Sequence, residues 1–122
     1  MNWSIVPGGC QKLLEWIAER YDNPPLYITE NGCAFDDQIE DGVVNDQARL
    51  DYVKGYLEAC HRAIENGVNL EGYFLWSLMD NFEWASGYKK RFGIHYVDFQ
   101  TLERTAKNSA KWYGGVIKKN GF

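Results

Sequence analysis

Two short stretches carry the side chains best suited to chemistry. The first is Thr29-Glu30-Asn31-Gly32, directly after the apolar run Leu26-Tyr27-Ile28. A carboxylate placed where a buried strand breaks into a glycine-containing turn is displayed at the end of a sheet. Strand ends are where α/β folds hold their reacting groups. The second stretch is Trp76-Ser77-Leu78-Met79-Asp80-Asn81-Phe82-Glu83-Trp84, in which Glu83 lies between two indoles. A sugar ring has apolar C–H faces and hydroxyls along its edges. An indole offers a flat apolar platform with an N–H donor, and a carboxylate accepts from two adjacent hydroxyls. Cleaving a glycosidic bond needs one carboxylate to attack or stabilise the anomeric carbon, and a second carboxyl to protonate the leaving oxygen. Glu30 suits the first task, and Trp76, Glu83 and Trp84 suit the grip on a hexose. Plainer readings stand beside these: Glu30 as an acidic turn residue, and both Trp as core, where large rings usually go. Asp80 reads as a structural hydrogen-bonding residue. Cys33 either fills the turn after Glu30 or faces a substrate. His61 reads as a surface residue and His95 as structural.

The elements that must position these groups follow from periodicity and punctuation. Residues 8–22 read as a helix opened by Pro7, with Leu13, Leu14, Ile17 and Tyr21 on one face. Asn23-Pro24-Pro25 stops it, because proline lacks an N–H and clashes with the preceding turn. A buried strand over Leu26 to Thr29 and a polar loop over 30–44 come next. Asn45 is the expected N-cap of a helix over 45–66, with the stripe Leu50, Val53, Leu57, Cys60, Ile64 and a left-handed stop at Asn66-Gly67. A strand over Gly72 to Trp76 is apolar on consecutive residues, as expected when both faces are covered. An aromatic loop over 77–90, a β-like stretch from Arg91 to Asp98 and a helix near 106–119 complete the chain. Strand, helix, strand implies a parallel pair, so loops 30–44 and 77–90 are expected at one sheet edge, with Glu30 and Glu83 on one side. Two parallel strands do not close a sheet, which implies further strands from elsewhere.

The 122 residues suffice for one modest domain, and no internal boundary or repeat is visible. Net charge is −4 without a Lys/Arg stripe, which argues against nucleic acid and against an anionic membrane surface as partners. A reading of the aromatic and Lys residues as a surface for single-stranded nucleic acid meets the same objection. Cys10, Cys33 and Cys60 are widely spaced with no CxxC, which argues against a disulfide framework or a zinc knuckle and favours a reducing compartment. With no leader-like segment and no long apolar run, the expected location is cytoplasmic.

The same residues resemble the family 1 glycoside hydrolases, the β-glucosidases and their relatives. Tyr27-Ile28-Thr29-Glu30-Asn31-Gly32 is similar to the family's nucleophile motif at the end of strand seven. Tyr73-Phe74-Leu75-Trp76-Ser77-Leu78-Met79-Asp80-Asn81-Phe82-Glu83-Trp84 resembles its strand-eight sugar-binding motif, and the stretch Gly87 to Phe99 is similar to the segment that follows. Met1-Asn2-Trp3 with Pro7-Gly8-Gly9 resembles the approach to helix six, and Arg104 to Tyr113 the last helix. The resemblance implies an α/β fold: one segment, residues 1–122, forming the C-terminal portion of a (β/α)8 TIM barrel with strands seven and eight and helices six to eight. It implies that Glu30 is the catalytic nucleophile, that Trp76, Glu83 and Trp84 bind the glycone, and that Phe92 lines the same pocket. It implies no metal and no organic cofactor. Family members acting on 6-phosphosugars replace the Glu-Trp pair with small residues, so Glu83-Trp84 implies an unphosphorylated sugar.

The family's acid/base lies in an Asn-Glu-Pro motif, and no such tripeptide occurs in this chain. Two expectations follow. In one, the chain supplies the nucleophile and glycone site of a retaining β-glucosidase acting on a β-glucoside or short β-linked oligosaccharide, and is inactive without the N-terminal part of the barrel. In the other, it is a catalytically incomplete piece that folds or associates with another copy of itself and at most binds sugar.

Overall fold

The computed structural model describes residues 3–122, so Met1 and Asn2 of the Met1-Asn2-Trp3 resemblance lie outside the described residues. The chain divides into two compact units, Met1–Asn31 with Tyr52–Leu75, and Gly32–Asp51 with Trp76–Phe122.

The first unit opens with α1 (Pro7–Arg20), started by the proline whose missing N–H would have no helical partner anyway. Its inward stripe is Cys10, Leu14 and Ala18, which differs from the expected face: Leu13 and Tyr21 are exposed. Small side chains on the inner face let the helix approach its neighbours, and the larger ones are left outside. Tyr21 ends the helix, and Asn23 then links two turns of the unit. Its side-chain amide donates to the Gly67 carbonyl at 2.9 Å, and its carbonyl oxygen accepts from the Asn69 N–H at 3.0 Å. Strand β1 (Leu26–Asn31) is two residues longer than expected, so Glu30 belongs to the strand and not to the loop.

Helix α2 (Gln47–Glu65) begins after Asp46, whose carbonyl accepts from the N–H groups of Arg49 and Leu50. Asp46 therefore occupies the cap position expected for Asn45. Gly67, at φ +94°, forms the expected left-handed stop, with Val68 N–H returning to the Ala63 carbonyl at 3.0 Å. Strand β2 (Leu70–Leu75) pairs with β1 in parallel, in the register Leu26↔Leu70, Ile28↔Tyr73 and Asn31↔Leu75. One face of this pair packs Leu26, Ile28, Leu70 and Tyr73 on a core of Leu14, Cys60, Ala63 and Val68. The expectation that both faces are covered does not hold within this chain, where Tyr27 is 53% and Phe74 59% exposed. Among the described residues this sheet has two strands, and Tyr27 and Phe74 stay open on that face.

The second unit holds the loops that follow each strand, a short antiparallel ribbon of β3 (His95–Val97) and β4 (Arg104–Ala106), and α3 (Asn108–Lys119). Asp98 shapes the connection between β3 and β4 by accepting from the N–H groups of Gln100 and Thr101, and these bonds hold its carboxyl below the usual range. Strand β4 was not expected from the sequence, where three residues before a helix start show no alternation. Helix α3 ends on Asn120 in the left-handed conformation.

Candidate active site

The strand end is organised around Glu30 in the first unit. Its side chain is exposed at the penultimate position of β1, whereas the next residue is fixed. Asn31 donates to the Tyr52 hydroxyl at 3.2 Å and accepts from the Tyr73 hydroxyl at 2.7 Å. Among the described residues no side-chain bond holds the Glu30 carboxylate, and it stands next to a clamped amide.

In the second unit, residues 77–80 run beside residues 92–95. Ser77 N–H donates to the Phe92 carbonyl at 3.2 Å, Ile94 N–H to Ser77 at 2.9 Å, and Asp80 N–H to His95 at 3.0 Å. Gly93 permits this approach, since a Cβ there would sit 2.1 Å from the Asp80 nitrogen. His95 also engages the Leu78 carbonyl through Nδ1, a structural role as expected. The Glu83-Trp84 turn closes on itself: Glu83 N–H donates to the Gly87 carbonyl at 2.7 Å, and Gly87 N–H to Trp84 at 3.0 Å. Trp84 stands on this turn 83% exposed, at φ +42°, and Trp76 is 40% exposed. Neither indole is core, contrary to the plainer reading. Phe92 differs from them: it is 7% exposed, so the ring surface it can offer a ligand is small.

Beneath these loops lies a buried chain of charges that periodicity could not reveal. Arg49 makes a two-pronged pair with Asp37 at 2.9 and 2.7 Å and also reaches Asp46 at 2.8 Å. Lys107 bridges Asp37 at 2.6 Å and Asp80 at 3.0 Å, and Arg91 meets Asp80 at 2.6 Å. Three carboxylates thus meet three cations, which is what makes their burial tolerable. Asp80 additionally accepts from the backbone N–H of Gly93 and of Val97, which places it as the structural acid expected. Burial works against the charge on Arg49, but the bonds from Asp37 and Asp46 outweigh it and raise its pKa above the ordinary value. Burial also pushes the half-buried Cys33 thiol up to about 12, which keeps it neutral.

Gly32 explains part of the Thr-Glu-Asn-Gly pattern. A Cβ at this position would lie 1.8 Å from the Trp76 carbonyl oxygen, backbone against side chain with no flexible atom to give way. We expect Gly32→Ala to displace Trp76 and to cost about 1–3 kcal/mol, the usual range for overpacking. A lowered thermal midpoint with altered tryptophan fluorescence would bear this out, and an unchanged midpoint would contradict it.

The model of glycosyl hydrolase family 1 matches residues 1–122. Beta-glucosidase A of Thermotoga maritima and a 1,4-beta-D-glucan glucohydrolase of Thermotoga neapolitana are each 55% identical over 123 aligned residues, covering 100% of this chain. The chain spans 28% of the length of each of these relatives. A solved structure of the T. maritima β-glucosidase in complex with glucoimidazole superimposes with a TM-score of 0.97 at 54% identity, covering 100% of this chain and 28% of that one. These family 1 glycosidases are TIM barrels, and the chain matches a portion of one. With a match that runs through all of its residues, the chain belongs to glycosyl hydrolase family 1.

Proposed function

We propose that residues 1–122 form one segment of a retaining β-glucosidase, contributing strands seven and eight and helices six to eight of its (β/α)8 barrel. In this reading β1 and β2 are the two barrel strands, and their open ends supply one active site. Glu30 attacks the anomeric carbon of a terminal β-D-glucosyl residue and forms a covalent glycosyl-enzyme. A carboxylic acid from the part of the barrel outside this chain protonates the departing oxygen, then activates water to release glucose with retained configuration. Trp76 and Trp84 carry the sugar's C–H faces, Glu83 accepts from two neighbouring hydroxyls, and Phe92 backs the pocket. The substrate is a β-glucoside or short β-linked oligosaccharide. No metal or organic cofactor takes part, and the reducing cytoplasm suits three free thiols.

The observation that carries this reading is the exposed carboxylate of Glu30 at the end of β1, beside a doubly held Asn31, in a chain of a glycosidase family. Paired with the N-terminal three-quarters of a family 1 barrel, the chain is expected to hydrolyse an aryl β-glucoside and to spare its 6-phosphate, which Glu83 repels. Glu83→Gln should lower kcat/KM for the glucoside about 10–100-fold, the worth of ~1.5–3 kcal/mol in hydrogen bonds to a charged group. Equal rates on the glucoside and its 6-phosphate would overturn the assignment of Glu83.

The open face of the β1–β2 pair, with Tyr27 and Phe74 exposed, favours a second reading for the chain by itself. Such a piece folds or self-associates through its strands and at most binds sugar. The pairing experiment decides between them, because a chain of this second kind gives no turnover whatever N-terminal portion is supplied.

A further inference from the structure

We propose that Cys10 and Cys60 form a paired-thiol modification site that reacts with low-molecular-mass disulfides and closes to an internal Cys10–Cys60 disulfide. Their separation in sequence argues against a disulfide framework, but both fall in the first unit, on helices packed in register. Helices α1 and α2 lie in a fixed register. Val6 N–H donates to the Tyr56 hydroxyl at 3.3 Å, and Pro7 faces Gly55, where a Cβ would lie 3.3 Å from the proline Cγ. Further along, Arg62 Nε donates to Gln11 at 3.0 Å and Asn66 to Glu15 at 2.6 Å. Cys10 and Cys60 fall between these pairs. Cys10 packs against the core cluster that contains Cys60. Both are free thiols in the structure.

The two sulfurs differ in access, and this sets the order of steps. Cys60 is buried at 4% exposure, whereas Cys10 is half-buried near the start of α1 and is the one a reagent reaches. The hydrogen bond from Cys60 brings the Cys10 thiol down to about 7, against the smaller opposing effect of burial. The same bond, with burial, pushes Cys60 well up. The lowered pKa favours the thiolate form of Cys10, the form that attacks disulfides.

The chemistry balances without a further reagent. Cys10 thiolate attacks one sulfur of a small disulfide R–S–S–R, forming Cys10–S–S–R and expelling RS⁻. Cys60 then gives its proton to water and attacks the Cys10 sulfur, forming the internal disulfide and expelling the second RS⁻. Two protein thiols are oxidised by two electrons, and the small disulfide is reduced to two thiols. Capture of Cys10 removes the negative charge and the acceptor that held the Cys60 proton, so the first step favours the second.

The test uses the chain with Cys33→Ser, which leaves the pair as its only thiols, and the aromatic disulfide 5,5′-dithiobis(2-nitrobenzoate). Each protein should release two thionitrobenzoates, at a rate that climbs as pH passes through about 7. The product should be lighter by two hydrogens and carry no adduct. Adding Cys60→Ser should halve the release and leave one adduct on Cys10. Should that variant fail to fold, tandem mass spectrometry of the Cys33→Ser protein must find the peptide linking Cys10 to Cys60. A persistent mixed disulfide, disulfide-linked dimers or no reaction at Cys10 would each overturn the proposal.

Discussion

Glu30→Ala, paired with the rest of a family 1 barrel, should lose about 10⁴–10⁶ of its kcat toward an aryl β-glucoside, the scale seen when a covalent nucleophile is removed. The size of the loss follows from the reaction. A covalent intermediate divides one difficult displacement into two easier ones, and without the attacking carboxylate neither takes place. Folding should change little, because Glu30 is exposed on β1 and the neighbouring Asn31 is held by Tyr52 and Tyr73 whatever stands at position 30. The small side chain also leaves room for an external anion. Added azide should therefore restore part of the activity and give an α-glucosyl azide, since a single displacement inverts the anomeric centre. A chromogenic assay with NMR of the product measures both effects. Glu30→Ala with near-parental turnover, or a rescued product of β configuration, would remove Glu30 from the nucleophile's role.

Lys107→Met should be the most damaging single change to the scaffold, costing about 3–5 kcal/mol. Lys107 is fully buried and is a cation shared by Asp37 and Asp80. Methionine fills much of the same volume, so the loss is electrostatic: three buried carboxylates would then face two cations. The consequences reach beyond the ion pairs. Asp80 also holds Arg91 and the N–H groups of Gly93 and Val97, and thereby fixes the segment beside residues 77–80. With a urea slope of about 2 kcal/mol per M, the unfolding midpoint should fall by about 2 M. Lys107→Arg, which keeps the charge, should recover part of the loss. An unchanged midpoint for Lys107→Met would mean that the charge chain contributes no stability.

The parts of this structure legible in the sequence are those with period or punctuation. Pro7 at the start of α1 and the Gly67 end of α2 appear as expected, while α1 ends at Arg20, ahead of the Asn23-Pro24-Pro25 stop. The inner face of α1 is not legible in the sequence, because adjacent apolar residues such as Leu13 and Leu14 let periodicity draw more than one stripe. Cys10, Leu14 and Ala18 turn inward while Leu13 and Tyr21 face solvent. The apolar run of β2 reads as a strand covered on both sides, yet Phe74 is exposed, because the pattern describes a larger sheet than two strands provide. The candidate site divides in the same way. Glu30, Trp76, Glu83 and Trp84 stand out as candidates by residue type and spacing, and Asp80 reads as the structural acid that its bonds to Arg91, Gly93 and Val97 make it. Asp37, Arg49 and Lys107 do not stand out, since ion pairs between residues 12 and 70 positions apart leave no periodic trace. The Cys10–Cys60 pair was hidden for the same reason: it depends on the register of two helices.

The most direct test of Glu30's role is covalent trapping with a 2-deoxy-2-fluoro-β-glucosyl fluoride, which slows breakdown of the glycosyl-enzyme more than its formation. After reaction of the paired barrel, digestion and mass spectrometry should find the fluoroglucosyl group esterified to Glu30. A label on Glu83 or on any other carboxylate, with Glu30 unmodified, would contradict the account.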